Sequence, residues 1–191
     1  TIPSPKACAQ RRFTRTRAVS GFSLDTTQRA RARRFASSPG GSGGRIAIYY
    51  QNATTFNFGN VTAFGSTGPN VVNAGAGTIY LQGPARESGE LIVDNNNVVT
   101  PTLSTPILGA STSTLTLTNF RIRRGAKAKF DSTLNLTNTL EIATSAEFAA
   151  GNPVVANSAN LTNNSVLTQL ATTGSVRFKV DLNAQAITID A

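Results

Sequence analysis

The chain has 191 residues, a net charge of +9, a single cysteine and no histidine. This composition excludes an internal disulfide and a metal site built from several cysteines, and it excludes any chemistry that needs histidine as a base or a ligand. Charged residues make up only 14% of the chain, against about 25% in a typical globular protein. Residues with β-branched side chains and turn-forming residues are abundant, so the composition predicts an all-β protein with many turns.

The first segment, residues 1–39, is rich in Arg, Ser, Thr and Ala, and its apolar residues follow neither the period of a strand nor that of a helix. Residues 1–45 hold ten basic residues and one acidic residue, whereas residues 46–191 hold eight of each, so all the net charge lies in the first part of the chain. We therefore expect a basic segment with little structure, disordered or loosely attached. Its arginines could bind polyanions, but no recognised nucleic-acid fold accompanies them, so nucleic acid is not an expected partner.

The second segment, residues 40–97, alternates Gly-rich turns with short runs of β-forming residues. Each run alternates in part between apolar and polar positions and is bounded by turn-forming residues. These features predict four strands, at residues 45–50, 60–65, 78–83 and 91–94. Residues 88–90 are predicted to form the turn that precedes the fourth strand.

The third segment, residues 98–191, is rich in Thr and Asn and contains an internal repeat. Leu115 and Leu117 recur as Leu134 and Leu136, Ile122 recurs as Ile142, and Phe130 recurs as Phe148, at spacings of 19, 20 and 18 residues. Three apolar-x-apolar triplets in each repeat predict a parallel β-helix, a solenoid whose successive turns stack about 4.8 Å apart. Leu115 is then expected beside Leu134, and Ile122 beside Ile142. A β-sandwich, which also uses many short strands, stays open as the alternative fold.

Asn119 and Asn138 occupy the same place in consecutive repeats. They could form an inward-facing ladder that satisfies turn carbonyls, or they could be turn residues that face solvent. Both arrangements suit asparagine, so the sequence leaves the choice open.

Four Gly-bounded runs in the second segment carry a resemblance: GGSGGRIAIYY (40–50), NVTAFG (60–65), GAGTIYLQG (75–83) and GELIVDNNN (89–97). They look like blocks found in very large, repetitive bacterial surface proteins, described as adhesin-like or filamentous-haemagglutinin-like. The resemblance implies a single-stranded right-handed parallel β-helix in an extracellular or cell-surface setting, on the bacterial outer surface. The expected partners are the rest of a longer chain and extracellular glycans or host and cell-surface polymers. The resemblance names no specific ligand.

The chain departs from this pattern before Gly40, where Gly-rich turns are expected and Arg-rich sequence stands instead. A shifted reading frame of a GC-rich glycine repeat and a divergent natural tail both explain that composition. The sequence also contains no methionine, so we expect either a processed chain or a piece of a longer protein. No run approaches the roughly 18 consecutive apolar residues that a membrane-spanning helix needs, so no membrane span is expected in this segment.

Four cations in the electrically neutral part of the chain form the candidate binding site: Arg121, Arg123, Lys127 and Lys129. The alternation of a strand turns them outward, where they could contact anionic glycans or another polyanion. The alternative is an ion-paired wall, because Arg121 and Lys129 are matched in the following repeat by Glu141 and Glu147. In that case the cations serve stability instead of binding.

The nine acidic residues are dispersed along the chain, and the nearest suggestive pair is Glu90 and Asp94. Glycoside hydrolysis needs two carboxylates about 5–9.5 Å apart, whereas these two are expected at the opening and the end of a strand, in turn roles. The Gly-rich runs lack the GK[ST] sequence of a phosphate loop. No catalytic residue, cofactor or metal is predicted, and the expected function is that of a structural or adhesive segment without catalysis. The alternative is a carbohydrate-active or glycan-binding β-helix module whose active residues lie outside this segment.

Overall fold

A computed structural model describes residues 41–67, 73–100, 102–107, 114–170 and 180–190. The basic segment at residues 1–39 lies outside the described residues, so its expected lack of structure stays a prediction. In the described residues the chain forms eleven strands and one 3₁₀ helix, at Phe58–Asn60. The strands are β1 Arg45–Tyr49, β2 Thr78–Gly83, β3 Arg86–Asp94, β4 Thr105–Ile107, β5 Leu115–Arg123, β6 Lys127–Phe130, β7 Leu134–Ala143, β8 Glu147–Ala150, β9 Val154–Thr162, β10 Val166–Gln169 and β11 Leu182–Asp190.

The strands form two sheets. Sheet A has seven strands in the order β1-β2-β3-β5-β7-β9-β11, and sheet B has four in the order β4-β6-β8-β10. From β3 onward the chain alternates between the two sheets, and each neighbouring pair within them is parallel. The β2–β3 hairpin is the one antiparallel pair among the described strands. The all-β prediction is thus confirmed, with mostly parallel sheets, which do not fit a β-sandwich of antiparallel sheets.

The register between β5 and β7 confirms the predicted neighbours. Leu115 pairs with Leu134, and Ile122 pairs with Ile142. The first of these columns continues into β9, where Leu134 meets Val154. The columns fill a main core between the two sheets, in which Leu134, Ile142 and Val154 are at most 1% exposed. The sequence repeat therefore becomes a set of continuous apolar columns, in which each strand is buried by its neighbours.

Phe130 and Phe148, which recur at a spacing of 18 residues in the sequence, are not neighbours in sheet B. In sheet B, Ala128 pairs with Phe148 and Phe130 pairs with Ala150, so the spacing is 20 residues. The physical reason is volume, because a phenylalanine in one strand lies beside an alanine in the next. Phe148 instead meets Phe120 of sheet A edge to face, with ring centroids 5.2 Å apart.

The inward-facing asparagine ladder is not formed. β7 has ten residues against nine in β5, and a β-bulge between Leu136 and Thr139 takes up the difference. Asn119 therefore pairs with Thr139, whose N–H donates to the Asn119 Oδ1 at 3.2 Å. Asn138 lies in the bulge and is exposed. One extra residue in a strand is thus enough to separate two asparagines that the repeat places together.

The turns from sheet A to sheet B repeat one backbone conformation. Two successive residues with positive φ stand at the same place in each turn: Asn96 and Asn97, Arg124 and Gly125, Thr144 and Ser145, Asn163 and Asn164. The turns hydrogen-bond to one another, as in the 2.9 Å bond from the Gly125 N–H to the Thr144 carbonyl. Asparagine and glycine adopt this conformation readily, whereas threonine is strained in it because its branched Cβ crowds the backbone.

Replacing Thr144 with asparagine is expected to stabilise the protein. Thr144 is exposed and has a φ of 56°, so the substitution removes a strained β-branched residue without disturbing the core. The free energy of unfolding should rise by about 1 kcal/mol, measured as an increase in Tm. The reciprocal change Asn163→Thr in the next turn, at a φ of 54°, should lower Tm by a similar amount. Equal midpoints for the two variants would contradict this account of the turns.

The first part of the described chain differs from the rest because β1 and β2 run antiparallel to β3. The predicted strands at residues 45–50 and 78–83 are confirmed as β1 and β2, whereas residues 61–65 form no strand and follow the 3₁₀ helix. The turn predicted at residues 88–90 is also wrong. These residues lie inside β3, and the chain reverses between Gly83 and Arg86.

A second, smaller core packs on the opposite face of sheet A. Tyr80 of β2 pairs with Leu91 of the main core, so its neighbours Ile79 and Leu81 point away from that core. They pack with Ala63 and with residues of β1 and the 3₁₀ helix. The outer face of sheet A is therefore apolar at β1 and β2, and β3 lies at the border where it becomes polar.

Candidate functional site

Charged side chains occupy the outer face of sheet A next to the second core. Glu90 and Asp94 alternate with the core residues of β3, so both lie on the outer face. On β5 the outer positions are Arg121 and Arg123, the second of which stands opposite Asp94. Glu141 follows on β7, beside Arg121. Acidic and basic residues thus alternate from strand to strand across this charged surface.

Glu90 is the most deeply buried carboxylate of the charged surface, with 1% of its side chain exposed. Arg86 approaches it at 2.5 Å and Arg121 at 2.8 Å, so a cation from its own strand and one from β5 share it. The Arg121 contact is close but is not aligned as a hydrogen bond, so it acts through charge. Arg121 also reaches Glu141 at 3.3 Å. The predicted pair between Arg121 and Glu141 is therefore present, and Glu90 adds a buried third partner.

Asp94 is held by the turn that follows β5. The Arg124 guanidinium donates from Nε to Oδ1 at 2.9 Å and from Nη2 to Oδ2 at 2.6 Å, a bidentate arrangement. Hydrogen bonding to Asp94 raises the pKa of Arg124 above its ordinary value. Arg123 lies farther off, with Nη2 3.7 Å from the Asp94 carboxylate. Asp94 also accepts the N–H of Asn96 at 3.0 Å, which joins the ion pair to the neighbouring turn.

Two arginines of the charged surface also contact residues 50–64, the stretch that contains the 3₁₀ helix. Arg86 donates from Nη1 to the Tyr50 hydroxyl at 2.8 Å, and its guanidinium lies over the Phe58 ring, 5.3 Å from the centroid. Arg124 lies over the Phe64 ring at 5.4 Å. Cation–π contacts contribute about 0.5–1 kcal/mol at exposed sites. The charged surface is therefore linked to residues 50–64 through Arg86 of β3 and through Arg124 in the turn after β5.

The two lysines of the candidate site lie on sheet B, apart from the arginines. β6 turns its alanine and its phenylalanine toward the main core, so Lys127 and Lys129 point outward from sheet B. Arg121 and Arg123 point outward from sheet A, so the four cations do not form one patch. Lys127 pairs with Glu147 in the register, with their charged atoms 2.8 Å apart. The predicted pairing of Lys129 with Glu147 is wrong by two residues, the same shift that separates the phenylalanines.

Glu90 and Asp94 do not form a carboxylate pair of the glycosidase kind. Four strand residues span about 13 Å, more than the roughly 5–9.5 Å that such a pair needs. Each carboxylate is also engaged by its own arginines. The expected turn role holds for Asp94, which bonds Asn96, but not for Glu90, which lies inside β3. In the described ranges no group of three metal-ligating side chains comes together.

Glu90, Asp94, Arg86 and Arg124 complete the charged surface, and the sequence alone does not bring them together. An assignment of residues 88–90 to a turn takes Arg86 and Glu90 out of the strand predicted at residues 91–94, whereas both lie in β3. The signal that could find Glu90 and Asp94 is their spacing of four residues along the strand, which places both carboxylates on the face opposite Leu91 and Val93.

No helix in the part of the chain that the structure describes is long and apolar enough to cross a membrane. Comparison of the chain with family models, with curated proteins and with solved structures finds no match.

Proposed function

We propose that the chain is a structural segment of a secreted or cell-surface β-solenoid and performs no catalysis. The observation that carries the proposal is the path from β3 to β11, which passes alternately through sheet A and sheet B with parallel neighbours in register. Successive passes take 19 and 20 residues between Leu115 and Val154. A right-handed single-stranded β-helix, in which each coil stacks on the last, accounts for this periodic path.

A solenoid suits a mechanical role because its stability comes from contacts between neighbouring coils and its length grows with their number. Such a rod can hold adhesive regions away from a cell. The outward charges support this use, since Arg121 pairs with Glu141 and Lys127 with Glu147 from one coil to the next. The extracellular setting rests on the resemblance of residues 40–97 to repetitive bacterial surface proteins.

A second candidate function is binding of an anionic glycan or a similar polymer. Lys129 favours it, because this side chain is exposed and makes no ion pair with other described residues. Arg123 favours it as well, since its contact with Asp94 is long, at 3.7 Å. Lys127 and Lys129 lie on a different sheet from the arginines, so the two pairs of cations can be tested separately.

Titration with an anionic polysaccharide such as dextran sulfate, at low and at physiological salt, separates the two candidates. The proteins compared are the unsubstituted chain, a Lys127→Ser/Lys129→Ser variant and an Arg121→Ser/Arg123→Ser variant, each with and without residues 1–39. For a structural segment, removal of residues 1–39 should abolish binding, because they carry most of the net charge, and neither double substitution should change it. Binding that survives the removal and is lost in one double variant would replace the structural proposal with glycan binding.

Stability is the control for this experiment. Loss of Arg121 leaves the buried Glu90 with Arg86 as its remaining cation, so the arginine variant should lose about 1.5–3 kcal/mol in free energy of unfolding. Exposed ion pairs contribute at most about 1 kcal/mol each to the free energy of unfolding. The sequence alone predicts a loss in this small range for the removal of either pair of cations. The lysine variant should stay within that smaller range. Binding is therefore measured well below the Tm of the arginine variant.

A further inference from the structure

Buried polar side chains are concentrated in the first coil of the proposed solenoid, which runs from β3 to β4. Seven of the described residues are both buried and polar or charged, and five of them lie in this coil: Glu90, Asp94, Asn95, Thr100 and Thr105. The coils that follow bury Asn119 and Ser132. A buried polar group is costly without a hydrogen-bond partner, so the first coil needs partners that the later coils do not.

Two of these side chains have partners in the chain before β2. Asn95 is 0% exposed, and its Oδ1 accepts the N–H of Gly65 at 3.0 Å while its Nδ2 donates to the Ala74 carbonyl at 3.4 Å. The Thr105 hydroxyl donates to the Ala76 carbonyl at 2.6 Å. The side chains of the first coil are therefore bonded to backbone groups that lie outside the stack of parallel coils.

The parallel stack ends at β2. One column of the main core runs from Leu140 through Phe120 and Leu91 to Tyr80 of β2, whose hydroxyl bonds the Gln82 Oε1 at 3.2 Å. β2 is antiparallel to β3, and the chain between β1 and β2 packs on the outer face of sheet A instead of passing through sheet B. Because β2 occupies one edge of β3 and β5 occupies the other, β3 has no free edge for a further parallel coil.

We propose that β1, β2 and the chain packed on them, residues 41–66 and 73–85, form a cap that closes the main core at β3. The cap keeps other strands from the edge of β3, where unpaired N–H and C=O groups would bind them. End units of a solenoid are atypical in sequence because they have this capping role. The first coil acts as the adaptor, since its buried polar side chains bond to the cap. The inference rests on the proposed solenoid, because a cap has a role only at the end of a stack.

Hydrogen exchange of the full chain, followed by mass spectrometry, tests the contacts that hold the cap. Asn95→Ala removes the bonds to Gly65 and Ala74, so the amides of β2 should exchange about tenfold faster, while those of β7 and β9 keep their protection. The matched control is Asn119→Ala, at a second buried asparagine, whose Oδ1 accepts the Thr139 N–H of the next coil. This control should speed exchange in β7 and leave β2 unchanged.

Thr105→Val repeats the test with a side chain of nearly the same shape, because it removes only the bond to Ala76. It should speed exchange in β2 by a smaller factor than Asn95→Ala does, and it decides the test if Asn95→Ala does not fold. Unchanged exchange of β2 in both variants would overturn the cap. Equal acceleration of β2 and β7 in Thr105→Val would overturn it as well, since the effect would then not be confined to the cap.

Sedimentation velocity tests whether the cap protects the edge of β3. A loosened cap exposes that edge, so at equal concentration Asn95→Ala should form more species above 20.0 kDa than Asn119→Ala does. Equal association of the two variants would contradict the protective role. The proposed solenoid is tested separately by the removal of residues 124–143, which leaves Asn95, Thr105 and their bonds in place. Cooperative unfolding of that deletion variant, together with unchanged exchange of β2 in the point variants, would overturn the cap alone.

Discussion

Gly77→Ala is expected to disrupt the packing of the chain around β1 and β2. A Cβ added at Gly77 would overlap the Gly44 carbonyl oxygen and the Gly43 backbone, far inside the 3.4 Å at which ordinary contact begins. Backbone atoms cannot rotate away as a side chain can, so the two segments must separate. Separation would break the 3.1 Å hydrogen bond from the Thr78 N–H to the Gly44 carbonyl. We expect a loss of about 3 kcal/mol or more in free energy of unfolding, the upper end of what overpacking costs.

Urea unfolding of Gly77→Ala beside Gly44→Ala measures this effect. A Cβ at Gly44 meets nothing within 4 Å, so the second variant adds the same methyl group in open space. Gly44→Ala should be neutral or slightly stabilising, because alanine restricts the unfolded chain. Similar midpoints for the two variants would mean that the glycines of this region are needed for their turns and not for close approach of the backbones.

The all-β class and two neighbouring pairs in the register of β5 and β7 could be predicted from the sequence. Composition alone indicates β-structure, and the recurrence of Leu115 as Leu134 and of Ile122 as Ile142 gives the neighbours that the structure has. This works because the inner face of a parallel stack is continuous, so apolar residues at a regular spacing must lie beside one another.

Residue identity is a poorer guide than spacing. Alignment of Phe130 with Phe148 fails because close packing places a large side chain beside a small one, Ala128 beside Phe148. Alignment of Asn119 with Asn138 fails because a bulge adds a residue to β7. Neither effect is visible in a single sequence, and both depend on contacts between strands.

The β2–β3 hairpin and the burial of Glu90 could not be predicted from the sequence, because both also depend on contacts between strands. Ser88 and Gly89 are turn-forming residues, yet Gly89, with a φ of 85°, lies inside β3. If residues 88–90 are taken as a turn, the ion pairs of Glu90 with Arg86 and Arg121 cannot be predicted. The burial of Glu90 depends on Arg86 and Arg121 together, and the second of these is distant in sequence.

Removal of residues 124–143, one complete coil of the proposed solenoid, is expected to leave a folded protein. The deleted segment contains one turn, β6 and β7, and its loss joins Arg123 to Thr144, so one positive-φ turn replaces another. β5 would then meet β9 in the register that β7 has now, with Ile122 beside Leu161. Each coil of a solenoid contacts only its neighbours, so the cost should be limited to the contacts of one coil.

Removal of residues 134–143 should do more damage although it deletes half as many residues. It takes out β7 alone and joins β6 to β8, which are parallel neighbours in sheet B. Parallel neighbours need a connection of about a dozen residues or more, and the chain that remains between them is much shorter. The alternation between the sheets would be broken, together with the apolar columns on both sides.

Urea unfolding of the unsubstituted chain and the two deletion variants, followed by far-UV circular dichroism, tests the solenoid most directly. Stacked coils predict one cooperative transition for the unsubstituted chain and for the protein without residues 124–143, and no cooperative transition for the protein without residues 134–143. Loss of the transition on removal of the complete coil, or its retention on removal of β7 alone, would contradict a solenoid of independent, stacked coils.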